Sequence, residues 1–89
     1  MPERRPNMRQ RRLGLELRRL RDAADLTIEQ VASRLEVSDS KVSRIETGKV
    51  TVSPRDVRDL LELYGVDRVQ RDELIELSRE ARQKAHWWY

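Results

Sequence analysis

The sequence predicts an all-α domain built from five helices. Three observations carry the prediction. Leu13, Leu17 and Leu20 recur at i, i+4 and i+7, the spacing of one helical face. Four N-cap signals and two glycine stops divide the rest of the chain into helix-length pieces. Phe is absent, and β-branched residues never alternate with polar ones over a strand length.

Each element has its own local cause. Pro2 and Pro6 lie in a polar, basic stretch, so residues 1–8 read as a flexible basic arm. The first helix is predicted over 9–23, with Arg12, Glu16 and Arg19 off the leucine face. Gly14 within it costs about 1 kcal/mol relative to Ala, which a close approach by another helix would explain. The second, over 28–35, starts at Thr27, whose hydroxyl caps the amide of Gln30 while Gln30 bonds back. The third, over 39–47, is capped by Ser38 and closed by Gly48; Lys41 cannot reciprocate the cap. The fourth, over 54–64, is capped by Ser53 with Asp56 at the third position and stops at Gly65. Its first residue is Pro54, where the missing N–H costs nothing. The fifth, over 68–85, starts at Asp67, with Gln70 as a looser partner. Hydrophobic staples support three of the caps: Leu26 with Val31, Val37 with Val42, and Val52 with Val57. At the remaining cap Val66 would meet Arg71, so no staple forms there. Val57, Leu60, Leu61, Tyr64, Leu74 and Leu77 are expected to supply the other face of the core.

Composition narrows the function. The chain has 89 residues, enough for one small domain, and no Cys, so disulfides and thiolate metal sites are excluded. Its single His, His86, cannot build a zinc site alone and receives no role. No metal or cofactor is expected. No apolar run approaches the roughly 20 residues of a membrane span, so no membrane partner is expected and a cytoplasmic location is. An enzyme is not expected either: there is no Gly-rich phosphate loop and no acid pair in a pocket-forming context. The net charge of +3 conceals an asymmetry, because residues 1–21 hold eight arginines against two glutamates, a local +6. A basic N-terminal fifth on a nearly balanced body suits a polyanion contacted on one side.

Helices two and three are short and separated only by Glu36–Ser38. Ile28, Val31, Leu35, Val37, Val42 and Ile45 are apolar, and the small Ala32 lies where the two helices must cross. Two short helices meet steeply around a tight turn when one side chain at the crossing is small and branched residues lock both inner faces. That is the specification of a helix-turn-helix. With Val42 and Ile45 inward, helical spacing puts Asp39, Ser40, Ser43 and Arg44 outward.

Leu17–Arg21, Leu26–Ala32 and Val37–Gly48, ending in Ser43-Arg44-Ile45-Glu46-Thr47-Gly48, resemble the Cro/C1-type (XRE) helix-turn-helix family. The extension Leu74–Arg82 is similar to the actinobacterial regulators of that group, in which a second, larger domain usually follows. One position departs from the pattern: Glu36 stands where the turn often has Gly, at a cost of about 1–2 kcal/mol if left-handed. The resemblance implies a compact, five-helix, lambda-repressor-like DNA-binding fold, with the helix-turn-helix domain over 9–66 and the fifth helix and aromatic tail over 67–89. It implies a bacterial transcriptional regulator, or its N-terminal domain, that reads double-stranded DNA with helix three. Arg44 can bond guanine O6 and N7 together, Ser40 can read almost any base, Asp39 can accept from cytosine N4, and Ser43 completes the outward face. Thr27, Ser38, Lys41, Thr47, Lys49 and Arg55 are the expected phosphate contacts. Arg4, Arg5, Arg9, Arg11 and Arg12 are expected on the DNA side as nonspecific charge. Glu46, repelled by phosphates, is expected to hold an internal hydrogen bond or ion pair. A two-fold homodimer on DNA is implied, with dimerisation partly beyond residue 89. Trp87, Trp88 and Tyr89 need cover, either by folding back or by a partner. The competing reading is a protein-interaction module of the same fold, antitoxin-like or anti-activator. Its face on helix three should be more apolar than this one.

Overall fold

The computed structural model describes the backbone of residues 8–87 and the side chains of residues 8–82. The arm residues Arg4 and Arg5 and the packing of Trp87, Trp88 and Tyr89 therefore lie outside the described residues. Five helices follow in order: α1 Met8–Ala23, α2 Ile28–Leu35, α3 Asp39–Glu46, α4 Pro54–Tyr64 and α5 Arg68–Trp87. No strand occurs among the described residues, and the fold is all-α.

The starts follow their caps. Thr27 and Gln30 form both bonds of a capping box, at 3.1 and 2.8 Å. Ser38 accepts from the Lys41 amide, Ser53 from that of Asp56, and Asp67 from that of Gln70. The four internal stops share one geometry. A left-handed residue, Asp25, Glu36, Gly48 or Gly65, follows each helix. The amide of the next residue reaches back to a carbonyl five positions earlier: Leu26 to Arg21, Val37 to Ala32, Lys49 to Arg44, and Val66 to Leu61. These are Schellman closures, which use up carbonyls the helix end leaves over.

Leu13, Leu17, Val31, Ala32, Val42, Ile45, Val52, Val57, Leu60, Leu61 and Leu74 form one buried cluster, and all six staple residues belong to it or pack against it. Ala32 is 2% exposed, as the crossing of α2 and α3 requires. Helix α1 runs through the centre of the domain, packing on α3, α4 and α5. Its buried face departs from the leucine reading in one respect: it runs Gln10, Leu13, Gly14, Leu17, Arg21, and Leu20 is only half-buried. Because Leu74 of α5 sits in the same cluster as the helix-turn-helix, the fifth helix completes the core rather than trailing from it.

Gly14 sets the distance between α1 and α3. A Cβ there would lie 2.5 Å from the Glu46 carbonyl oxygen and 2.6 Å from that of Ile45. Only glycine lets the last turn of α3 rest on α1 in this way.

Candidate nucleic-acid interface

The orientation of α3 follows from what anchors it. Val42, Ile45 and Glu46 are buried beneath it. Glu46 is held by Arg21 of α1 in a two-pronged pair, Nε to Oε2 at 2.7 Å and Nη2 to Oε1 at 3.0 Å. The third guanidinium donor, Nη1, reaches the Leu26 carbonyl at 2.9 Å, so one arginine ties α1, the α1–α2 turn and α3 together. The side chains are 11% and 5% exposed. The Glu46 hydrogen bond raises the Arg21 pKa, with burial opposing it. Tyr64 of α4 lies near this pair. Burial first, and then the Glu46 charge, push its phenol up to about 12 from 10.0. Among the described residues no buried side-chain nitrogen or oxygen lacks a partner. The expected internal role of Glu46 is thus met, and its partner is an arginine of the basic N-terminal fifth.

With that underside fixed, Asp39, Ser40, Ser43 and Arg44 all stand exposed on the outward face. Ser38 and Thr27 are exposed at the starts of α3 and α2, and Thr47 and Lys49 at the end of α3. Arg55 is exposed in the first turn of α4. Arg44, Lys49 and Arg55 make no ion pair among the described residues. Lys41 differs: it is half-buried, and its Nζ lies 3.7 Å from Asp56 Oδ2, which ties α3 to α4. The Thr47 hydroxyl donates to the Ser43 carbonyl at 3.0 Å and keeps only its acceptor capacity. At the start of α2 the capping box occupies the Thr27 and Gln30 amides. The Ile28 and Glu29 amides of that turn have no intrahelical acceptor, and they are the donors it can offer an anion.

The exposed set lies on α2, α3, the α3–α4 turn and the start of α4, and the exposed residues of all three helices are polar. The large exposed apolar residues Met8, Leu15 and Val69 belong to α1 and α5. Arg21 was not singled out from sequence as the anchor beneath α3. The signal was present for Arg21, which continues the Leu13–Leu17 stripe at i+4.

The fold and this surface define a helix-turn-helix domain. The chain belongs to the family described as Helix-turn-helix domain, whose model matches residues 12–74, well over half its length. Comparison with curated proteins and with solved structures gave no match. The family match spans all of the helix-turn-helix and runs into α5 as far as Leu74. No helix among the described residues is long and apolar enough to cross a membrane.

Proposed function

We propose that this chain is a sequence-specific double-stranded DNA-binding transcriptional regulator, or the N-terminal domain of one, of the Cro/C1 type. The observation that carries the reading is the outward face of α3: four exposed residues, three small and polar and one an unpaired guanidinium, on a helix whose other side is locked. A helix of this kind fits the major groove, and its first residues meet base edges. Arg44 grips guanine, Ser40 and Ser43 take adaptable hydrogen bonds, and Asp39 accepts from cytosine. Thr27, Ser38, Thr47, Lys49 and Arg55 hold the flanking phosphates. Lys41 joins them with its charge shared with Asp56, so its removal costs less binding than that of Lys49. Two copies bind as a two-fold dimer on half-sites about 34 Å apart. The protein acts in the cytoplasm, on the nucleoid, and needs no cofactor.

The polar face of α3 also weighs against a protein-interaction module, whose contact surface would carry apolar anchors at its centre. Selection of bound sequences from random duplex DNA tests the proposal. Enrichment of one motif, with its information relaxed at one position by Arg44→Ala, is the expected result. Failure to enrich any sequence would overturn it.

A further inference from the structure

Helix α1 carries six arginines, and the structure sorts them. Arg9 pairs with Glu80 of α5 at 3.3 Å, Arg19 with Glu16, and Arg21 with Glu46. Arg11, Arg12 and Arg18 are exposed and make no ion pair among the described residues. Of these three, Arg11 and Arg18 line a groove of about 400 Å³ between α1 and α3, whose opposite wall is Ser43 and Thr47 with Ile28 of α2. Arg12 sits about 100° around the helix from Arg11 and outside the groove.

Ser43 and Thr47 belong to the outward side of α3, so the groove opens on the same side as the proposed base-reading face. Its floor is the Arg21–Glu46 pair, which is internally neutral. The rim is therefore cationic, at +2 from Arg11 and Arg18. Leu15 lies between them on α1 and is 61% exposed, so it offers a short apolar surface between the two cations. Arg11 and Arg18 are seven residues apart, about 10 Å along the axis. That distance lets them reach separate phosphates of one strand, with a sugar face against Leu15.

We propose that α1 is a further DNA-contacting element: Arg11 and Arg18 clamp the sugar-phosphate strand that leaves the C-terminal end of α3. This rests on the reading of α3 as the groove-facing helix. It extends the DNA surface to a helix outside the helix-turn-helix, and it excludes Arg9, which is tied to α5, and Arg12.

Fluorescence anisotropy of the full chain on a random-sequence duplex, at low and moderate salt, tests it. Each phosphate contact contributes about 0.9 to the slope of log affinity against log salt. A fourfold rise in salt therefore costs about 3.5-fold in affinity per contact. Arg11→Gln with Arg18→Gln should shrink the salt-induced loss by about 12-fold, which is two contacts. Arg12→Gln should leave the slope unchanged, and Arg18→Lys should keep it near that of the parent chain. An equal effect of Arg12→Gln and Arg18→Gln would overturn the proposal, since charge alone would then suffice. No effect of the Arg11 and Arg18 changes, in a chain whose binding still weakens with Lys49→Ala, would overturn it while leaving α3 as the DNA helix. Absence of duplex binding by the parent chain would remove both readings. Pyrophosphate binding that depends on Arg18, in a chain whose duplex affinity does not, would give the groove to a small anion and overturn the proposal.

Discussion

Replacing Gly14 by Ala sets helix propensity against packing, and the two predict opposite signs. Propensity alone favours Ala in a helix interior by about 1 kcal/mol. The geometry opposes it: the new Cβ falls 2.5 and 2.6 Å from two backbone carbonyl oxygens of α3. An ordinary contact is about 3.5 Å, so α1 and α3 must separate by about 1 Å. Neither oxygen is the far end of a flexible side chain, so rotamer changes give no relief. A gap of that size forfeits a quarter to a half of each dispersion contact across it, and overpacking of this kind costs about 1–3 kcal/mol. After the propensity gain, the net loss should be up to about 2 kcal/mol. In a domain of this size that lowers the melting temperature by up to roughly 15 °C. Far-ultraviolet circular dichroism during a thermal ramp measures it. The same displacement should weaken duplex binding, because it moves the Glu46 end of α3. A Gly14→Ala chain that melts above the parent would refute the reasoning, since the interhelical contact would then not set the position of α3.

Three further outcomes follow from particular residues. Glu36→Gly and Asp25→Gly should each stabilise the fold by about 1 kcal/mol in urea unfolding, because both positions are left-handed, at φ +59° and +61°; a loss at either site would mean that the side chain outweighs the backbone strain. Glu46→Ala should cost about 3–5 kcal/mol by leaving the Arg21 charge buried without its partner. The double change Arg21→Met with Glu46→Leu should recover most of that, and a double variant as unstable as the single one would show that the pair does more than compensate its own burial. Tyr64 should titrate near pH 12 against an ordinary 10.0, followed by tyrosinate absorbance in a Tyr89→Phe background. Since the folded value is raised, the stability this phenol contributes is whole below pH 10 and is lost as pH rises through 12. A midpoint near 10 would place the ring in solvent.

The helices were legible in the sequence because their ends are local chemistry. Thr27, Ser38, Ser53 and Asp67 cap amides three residues away, and Gly48 and Gly65 need only their own backbone to turn left-handed. The outward set on α3 was legible for a similar reason, since helical spacing from Val42 and Ile45 fixes it. What resisted was tertiary. Asp25 closes α1 in the conformation of a glycine; Asp tolerates that conformation better than most residues, but its type alone does not require it. By charge Arg21 is one more cation of the basic N-terminal fifth, and its pairing with Glu46, 25 residues away, is visible only in the fold. The arginines of α1 look interchangeable in the sequence. Only the packing of α1 on α3 and α5 separates Arg11 and Arg18 in the groove from Arg9 against Glu80. Likewise, the Lys41 pairing with Asp56 needed the approach of α4.

We propose that the outward face of α3 is where this chain meets DNA. Amide chemical-shift mapping by nuclear magnetic resonance, on titrating the chain with its selected duplex, decides whether it does. The largest changes are expected along Ser38–Thr47 and at Lys49, with the start of α2 at Ile28 and Glu29 and the first turn of α4 at Arg55 also perturbed. Changes confined to α5 and the far side of α4, with Ser40, Ser43 and Arg44 undisturbed, would contradict it.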